Sequence, residues 1–268
     1  MSLAAAYTRS VLTNRSLWFW GVAFMAFWFV LGAYVFSPGL APSAAAAVGY
    51  TASWYAVIAL FSLTTLSMGI VVSITYGTSA LAFGFRFTRL RPTGFALSLI
   101  AAAVAMGTLL TLLMTGIVSA LFGAHFGRTI LPANLPGLVG VAVLAGAFMM
   151  GLATTLVLLV VNYLGLRNIS FLEFVPLILS YIFGFAQLFQ SLPAWVLYLS
   201  PWNDIESLLY QGFSGGAAGV VLSDPASMSL AWPISVGCLA GWIAALVVVS
   251  GALLGRIRAV SFEEGRQI

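Results

Sequence analysis

Six long runs of this sequence contain almost no charged side chain, and this feature limits what the chain can fold into. They cover residues 17–36, 53–75, 95–124, 137–161, 171–191 and 230–255. A helix needs about 20 mainly apolar residues to cross the hydrocarbon core of a bilayer. Only 6% of the residues are charged, whereas a soluble domain has about 25%. The pattern predicts one all-α membrane domain over residues 1–268, with six transmembrane helices and a short interfacial helix at residues 1–16.

The basic residues predict the orientation of these spans. All ten are arginines, and an N-terminus in the cytoplasm leaves only Arg128 on the outer side. Cytoplasmic loops are enriched in arginine and lysine, so the sequence predicts that both termini are cytoplasmic. The predicted cytoplasmic set is Arg9, Arg15, Arg86, Arg89, Arg91, Arg167, Arg256, Arg258 and Arg266.

The connection between the fifth and sixth runs is the longest, and its first half is too apolar for a solvated loop. Pro193 and Pro201 divide it, which predicts a hairpin of two short helices that re-enters the outer face of the membrane. Asn203 and Glu206 have the spacing of a capping box, which predicts that a helix begins at Asn203. Glycines 212, 215 and 216 are expected to end that helix.

Few residues suit catalysis or metal binding. The chain has one cysteine, Cys238, and one histidine, His125, which we expect in an outer loop, so neither a zinc cluster nor a nucleophile with a base partner is predicted. It has no lysine and no phosphate-binding loop, so any ATP must be bound by another subunit. We therefore predict no catalytic residue and no metal site. Glu173 is the one carboxylate that touches a span, at its cytoplasmic edge.

The arrangement of these segments resembles the type 2 ABC transporter permeases. Gly77-Thr78 and Pro92 are similar to the family's motifs around a cytoplasmic helix between the second and third spans. Leu192-Pro193 and the turn from Ser200 to Asn203 are similar to those of its outer hairpin. The charged residues that often precede the Gly-Thr pair, and an arginine common in the second outer helix, are absent here.

The resemblance implies a permease subunit of an exporter in the prokaryotic plasma membrane, which pairs with a second permease copy and two cytoplasmic ATPase subunits. ATP and magnesium would be bound by those ATPases, and this chain would hold no cofactor. Coupling to the ATPases is assigned to Gly77, Thr78, Arg86, Arg89, Arg91 and Pro92. A cavity for a lipid, drug or hydrophobic peptide, between spans two and five, is assigned to Trp54, Phe61, Thr65, Phe183, Gln187 and Gln190.

Two other functions are compatible with the same sequence. A membrane scaffold or assembly factor would need the arginines only for orientation. A proton-coupled carrier would depend on Glu173, because a carboxylate at membrane depth is costly and is often functional. Pairing of Glu173 with Arg167 or water at the interface explains the same residue more simply.

Overall fold

The computed structural model describes residues 3–37, 43–87, 91–164, 169–172, 174–219, 221–222, 224 and 228–254. It is predominantly helical, and five of its helices are long and apolar enough to cross a membrane. The short helix α1 (Leu3–Leu12) is followed by the apolar helices α2 (Arg15–Tyr34), α3 (Ala44–Phe87), α4 (Pro92–Phe126) and α5 (Leu135–Leu159). The chain is therefore an all-α protein suited to a membrane.

The region after α5 is built from shorter pieces. A π-helical turn, Val160–Leu164, extends α5, and then come α6 (Ile169–Leu172), α7 (Val175–Phe185) and α8 (Ala186–Phe189). Helices α9 (Ala194–Leu199) and α10 (Pro201–Ser214) follow, with a small antiparallel pairing of β1 (Ala218–Gly219) with β2 (Ser229–Leu230). The long helix α11 (Trp232–Leu254) comes last.

Helix α3 forms the centre of the bundle, and its most apolar part is buried throughout. Helices α4 and α5 pack so closely that a methyl group at Gly146 would lie 2.8 Å from the backbone oxygen of Ala103. Helix α1 lies against the start of α4, where Tyr7 and Phe95 form an edge-on aromatic pair. Helix α11 is the least buried of the long helices. Most of the bundle is therefore organised around α3.

Several predicted boundaries need correction. The second span was expected at residues 53–75, with a separate cytoplasmic helix opened by Gly77-Thr78, but α3 is continuous from Ala44 to Phe87. No proline interrupts this stretch, so the helix continues through it. The fifth span was expected as one helix over residues 171–191, which would place Pro176 inside it. Pro176 instead lies in the first turn of α7, and the π-helical turn Tyr181–Phe185 completes that helix.

The predicted capping box is wrong. Helix α10 begins at Pro201, with Ser200 at its N-cap position, so Asn203 and Glu206 lie inside the helix. Both side chains are fully buried and face neighbouring elements instead of the helix terminus. Of the glycines expected to end this helix, Gly215 does so in a left-handed conformation with φ 72°, whereas Gly212 lies inside α10. His125 is also misplaced by the prediction, because it lies in the last turn of α4.

Candidate functional site

A cavity of about 330 Å³ opens where α2, α3 and α7 meet. Its lining is almost entirely apolar and rich in aromatic rings, and the lining residues Trp20, Ile178 and Tyr181 are also exposed on the outside of the bundle. Sites for small molecules are mostly apolar clefts of about 300 to 1,000 Å³. We call this the aromatic cavity; it is lined by Trp20, Phe24, Met25, Trp28, Ile58, Phe61, Thr65, Leu177, Ile178, Tyr181 and Phe185.

Close contact between α2 and α3 shapes one wall of the aromatic cavity. The Ser62 hydroxyl donates a hydrogen bond of 2.6 Å to the backbone oxygen of Gly21. A methyl group at Gly21 would lie 2.5 Å from the Thr65 hydroxyl oxygen, so a larger residue there would force the helices apart. The opposite wall contains Tyr181 and Phe185, whose rings stack 5.1 Å apart on α7. These contacts leave the cavity open between the two walls.

The residues predicted to line one cavity do not lie together in the structure. Phe61 and Thr65 line the aromatic cavity, and Trp54 lines a neighbouring cavity of about 230 Å³ with Tyr50 and Ser53. Phe183 stacks on Trp202 with ring centroids 5.8 Å apart. Gln187 is completely buried, whereas Gln190 is exposed. The prediction therefore places two residues at the aromatic cavity and did not foresee its α2 wall.

Gln187 is the centre of a buried hydrogen-bond network that joins α8 to α10. Its Nε2 donates to the Ser207 hydroxyl and to the backbone oxygen of Gly219, each at 3.2 Å. Asn203 Nδ2 donates to Gln187 Oε1 and to the backbone oxygen of Phe183, each at 3.0 Å. Buried amides need such partners, because an unpaired polar group is costly away from water. The network fixes the position of α10 against α7 and α8.

Glu206 lies on the same face of α10 and is completely buried. Neither of its carboxyl oxygens has a hydrogen-bond partner within the described part of the chain. A methyl group at Gly184 would lie 3.0 Å from Leu60 and 3.4 Å from Glu206 Oε2, so the glycine allows α7 to approach the carboxyl group. Desolvation by burial raises the pKa of Glu206 well above its usual value. Burial therefore favours the neutral form of this carboxyl group.

Asp204 is a second buried acid on α10 and faces α11. Burial raises the pKa of Asp204 to about 8, although the hydroxyl of Ser235 on α11 acts against part of this rise. The sequence predicts that Asp204 and Glu206 lie in a connection on the outer side of the membrane. The spacing of these residues gives no indication that both side chains are buried. Among the described residues, no three histidine, cysteine or acidic side chains are grouped so that they could hold a metal ion.

The predicted coupling residues lie at the far end of α3 and the start of α4. Gly77, Thr78 and Arg86 belong to α3, although the structure does not describe the side chains of Thr78 and Arg86. Arg91 is exposed at the N-cap of α4, and Pro92 occupies the first turn, a position that suits proline. Arg89 lies outside the described residues.

Three further predicted residues are Glu173, Pro193 and Pro201. Glu173 lies outside the described residues, so its environment stays a prediction. Pro193 and Pro201, predicted in an outer hairpin, each stand at the start of a helix. A scan against protein-family models found no matching family, and a search of curated proteins found no match.

Proposed function

We propose that this chain is the membrane-spanning permease subunit of an ATP-driven ABC exporter that moves a hydrophobic or amphipathic substrate. The observation that supports this most strongly is the aromatic cavity, which opens where α2, α3 and α7 meet. Phe61 and Thr65, assigned to a substrate cavity from the resemblance, are two of its lining residues. A cavity of this size and polarity suits an apolar solute better than a charged one.

The length of α3 supports a connection between that cavity and a cytoplasmic partner. Its 44 residues extend about 66 Å at 1.5 Å per residue, roughly twice the thickness of a bilayer's hydrocarbon core. One continuous helix therefore contributes Phe61 to the cavity and carries Gly77, Thr78 and Arg86 well beyond it. A rigid helix of this kind can transmit a movement at one end to the other.

In the proposed topology the short helix α7, with its flanking pieces, completes a sixth span. Helices α9 and α10 then form a hairpin that re-enters the membrane from the outer side, and both termini are cytoplasmic. The arginine distribution supports this orientation. The proposed location is the prokaryotic plasma membrane, where this chain would pair with a second permease copy.

Mechanistically, two ATPase subunits would dock at the turn between α3 and α4. ATP would supply energy only through its binding and hydrolysis in those partners. A ligand shifts a conformational equilibrium by its differential affinity for the two states. ATPase closure would bias the end of α3, and α3 would then move relative to α2 and α7, which changes access to the cavity.

The proposed docking turn is testable by charge reversal. We expect the double variant Arg86→Glu/Arg89→Glu to lose most of its ATPase subunit when the tagged chain is captured from membranes solubilised in a mild detergent. The matched control is Arg128→Glu, which changes the arginine predicted on the other side. Equal ATPase recovery from both variants, with equal amounts of folded chain, would contradict the proposed docking surface.

A further inference from the structure

Three cavities follow one another along the groove between α2 and α3. The first, which we call the Asn14 cavity, has a volume of about 250 Å³ and is lined by Asn14, Ser16 and Gly69 among others. It shares Trp20 and Thr65 with the aromatic cavity. These two cavities are therefore neighbours along α3, and we call the row of three cavities the groove.

The third cavity continues this groove at its other end, as it shares Trp28 and Phe185 with the aromatic cavity. On α3, the groove extends from Gly69 to Tyr50. These residues are about 28 Å apart at 1.5 Å per residue, which is close to the thickness of a bilayer's hydrocarbon core. The groove is therefore long enough for an extended apolar chain.

The chemistry of the groove changes along its length. The aromatic cavity exposes essentially no polar surface, whereas almost half of the exposed lining of the Asn14 cavity is polar. Asn14 presents its amide towards Gly69, where a methyl group would lie 3.8 Å from Asn14 Nδ2. A molecule that matches this profile has a polar group at one end and an apolar chain beyond it.

The charge at the polar end selects the kind of head group. Arg15 lies between Asn14 and Ser16 in the chain and is exposed, as is Arg9 on α1. The first acidic residue of the whole sequence is Glu173, so residues 1–172 carry seven arginines and no carboxylate side chain. None of the described residues that line the Asn14 cavity is acidic, so with Arg15 next to it this end of the groove attracts an anion.

We propose that the groove binds a membrane lipid with an anionic head group, placing the head group at Asn14 and Arg15 and an acyl chain in the aromatic cavity. Transport of that lipid, which would make anionic lipids the substrate class, depends on the proposed exporter function. Binding itself does not, so it can be measured on the purified chain alone. The surface-exposed residues of the aromatic cavity would let the lipid enter sideways from the membrane.

The test uses tryptophan quenching by lipids with brominated acyl chains in nanodiscs of otherwise zwitterionic lipid. Trp20 and Trp28 are the two of the eight tryptophans that line the aromatic cavity. Brominated phosphatidylglycerol should quench at a clearly lower mole fraction than brominated phosphatidylcholine. Each arginine near an anionic lipid contributes about fivefold to its affinity, so Arg15→Gln should weaken the preference about fivefold. The control, Arg128→Gln, should leave it unchanged.

A second variant shows whether the bound chain lies in the aromatic cavity. Trp20→Phe/Trp28→Phe keeps the aromatic lining and should remove most of the high-affinity quenching, leaving only the part that comes from Trp54 in the third cavity. The proposal is overturned by equal quenching with both lipids, by a preference that survives Arg15→Gln, or by high-affinity quenching that is undiminished without Trp20 and Trp28. Displacement of the brominated lipid by a fatty acid but not by unlabelled phosphatidylglycerol would also overturn it. None of these outcomes bears on whether an ATPase partner exists.

Discussion

The burial of Glu206 predicts how the stability of the folded chain depends on pH. Its carboxyl group is buried on α10, a helix outside the five long apolar ones, and its pKa is raised by desolvation. Between its unfolded and folded pKa values, the folded chain holds a proton that the unfolded chain has lost. Stability must therefore fall as pH rises above about 4.3, the usual pKa of glutamate.

The size of this loss of stability follows from the proton that the folded chain retains. Each pH unit between the unfolded and the folded pKa costs about 1.4 kcal/mol for one carboxyl group, and this is the slope that Glu206 adds over that window. Glu206→Gln replaces the neutral acid with a neutral group of similar shape and should remove this part of the slope. Asp204 titrates in the same direction, with a pKa of about 8, so part of the slope remains.

The assay is thermal unfolding of the purified chain in detergent, followed by tryptophan fluorescence from pH 5 to pH 8. We expect the wild type to lose stability steeply, Glu206→Gln less steeply, and Asp204→Asn/Glu206→Gln least. Parallel pH profiles for the wild type and Glu206→Gln would refute the reasoning, because they would mean that Glu206 is already ionised, and so hydrated or paired, in the folded chain.

Two further predictions concern packing, each with a matched control. Gln187→Met should lower the free energy of unfolding by about 1 to 3 kcal/mol, because it leaves the buried partners of Gln187 on α10 unsatisfied. Gln190→Met, at an exposed position, should change the free energy of unfolding little. Equal midpoints of the two variants in thermal unfolding would contradict this prediction. Gly146→Ala should destabilise the folded chain by about 1 to 3 kcal/mol, because the added methyl group clashes with α4. Gly237→Ala, which has open space around it, should be neutral or slightly stabilising. Thermal unfolding measures both variants, and an unchanged stability of Gly146→Ala would be evidence against the close contact between α4 and α5.

The sequence predicted the elements whose signal is local. Long apolar runs predicted the five long helices, because length and hydropathy alone define such a segment. Pro92 and Gly215 also have the roles their residue types favour, at a helix start and a helix end. These features depend on a residue and its near neighbours, so one sequence is enough to find them.

The features that depend on tertiary contact were not predictable in this way. Asn203 and Glu206 match a capping box in spacing, but Pro201 starts the helix earlier and both side chains turn into the bundle. Nothing in the order of residues shows that Gly184 permits this approach. The wall that α2 contributes to the aromatic cavity was missed for the same reason, since it depends on how α2 packs against α3.

We propose that this chain is the permease of an ATP-driven exporter, and the identity of its partner proteins tests that proposal. The measurement is purification of the tagged chain from its native membrane in a mild detergent, with mass spectrometry of every protein that co-elutes at a defined stoichiometry. We expect an ATPase subunit with nucleotide-binding motifs, present in equal amount to the permease. An intact complex that contains no such ATPase would contradict it.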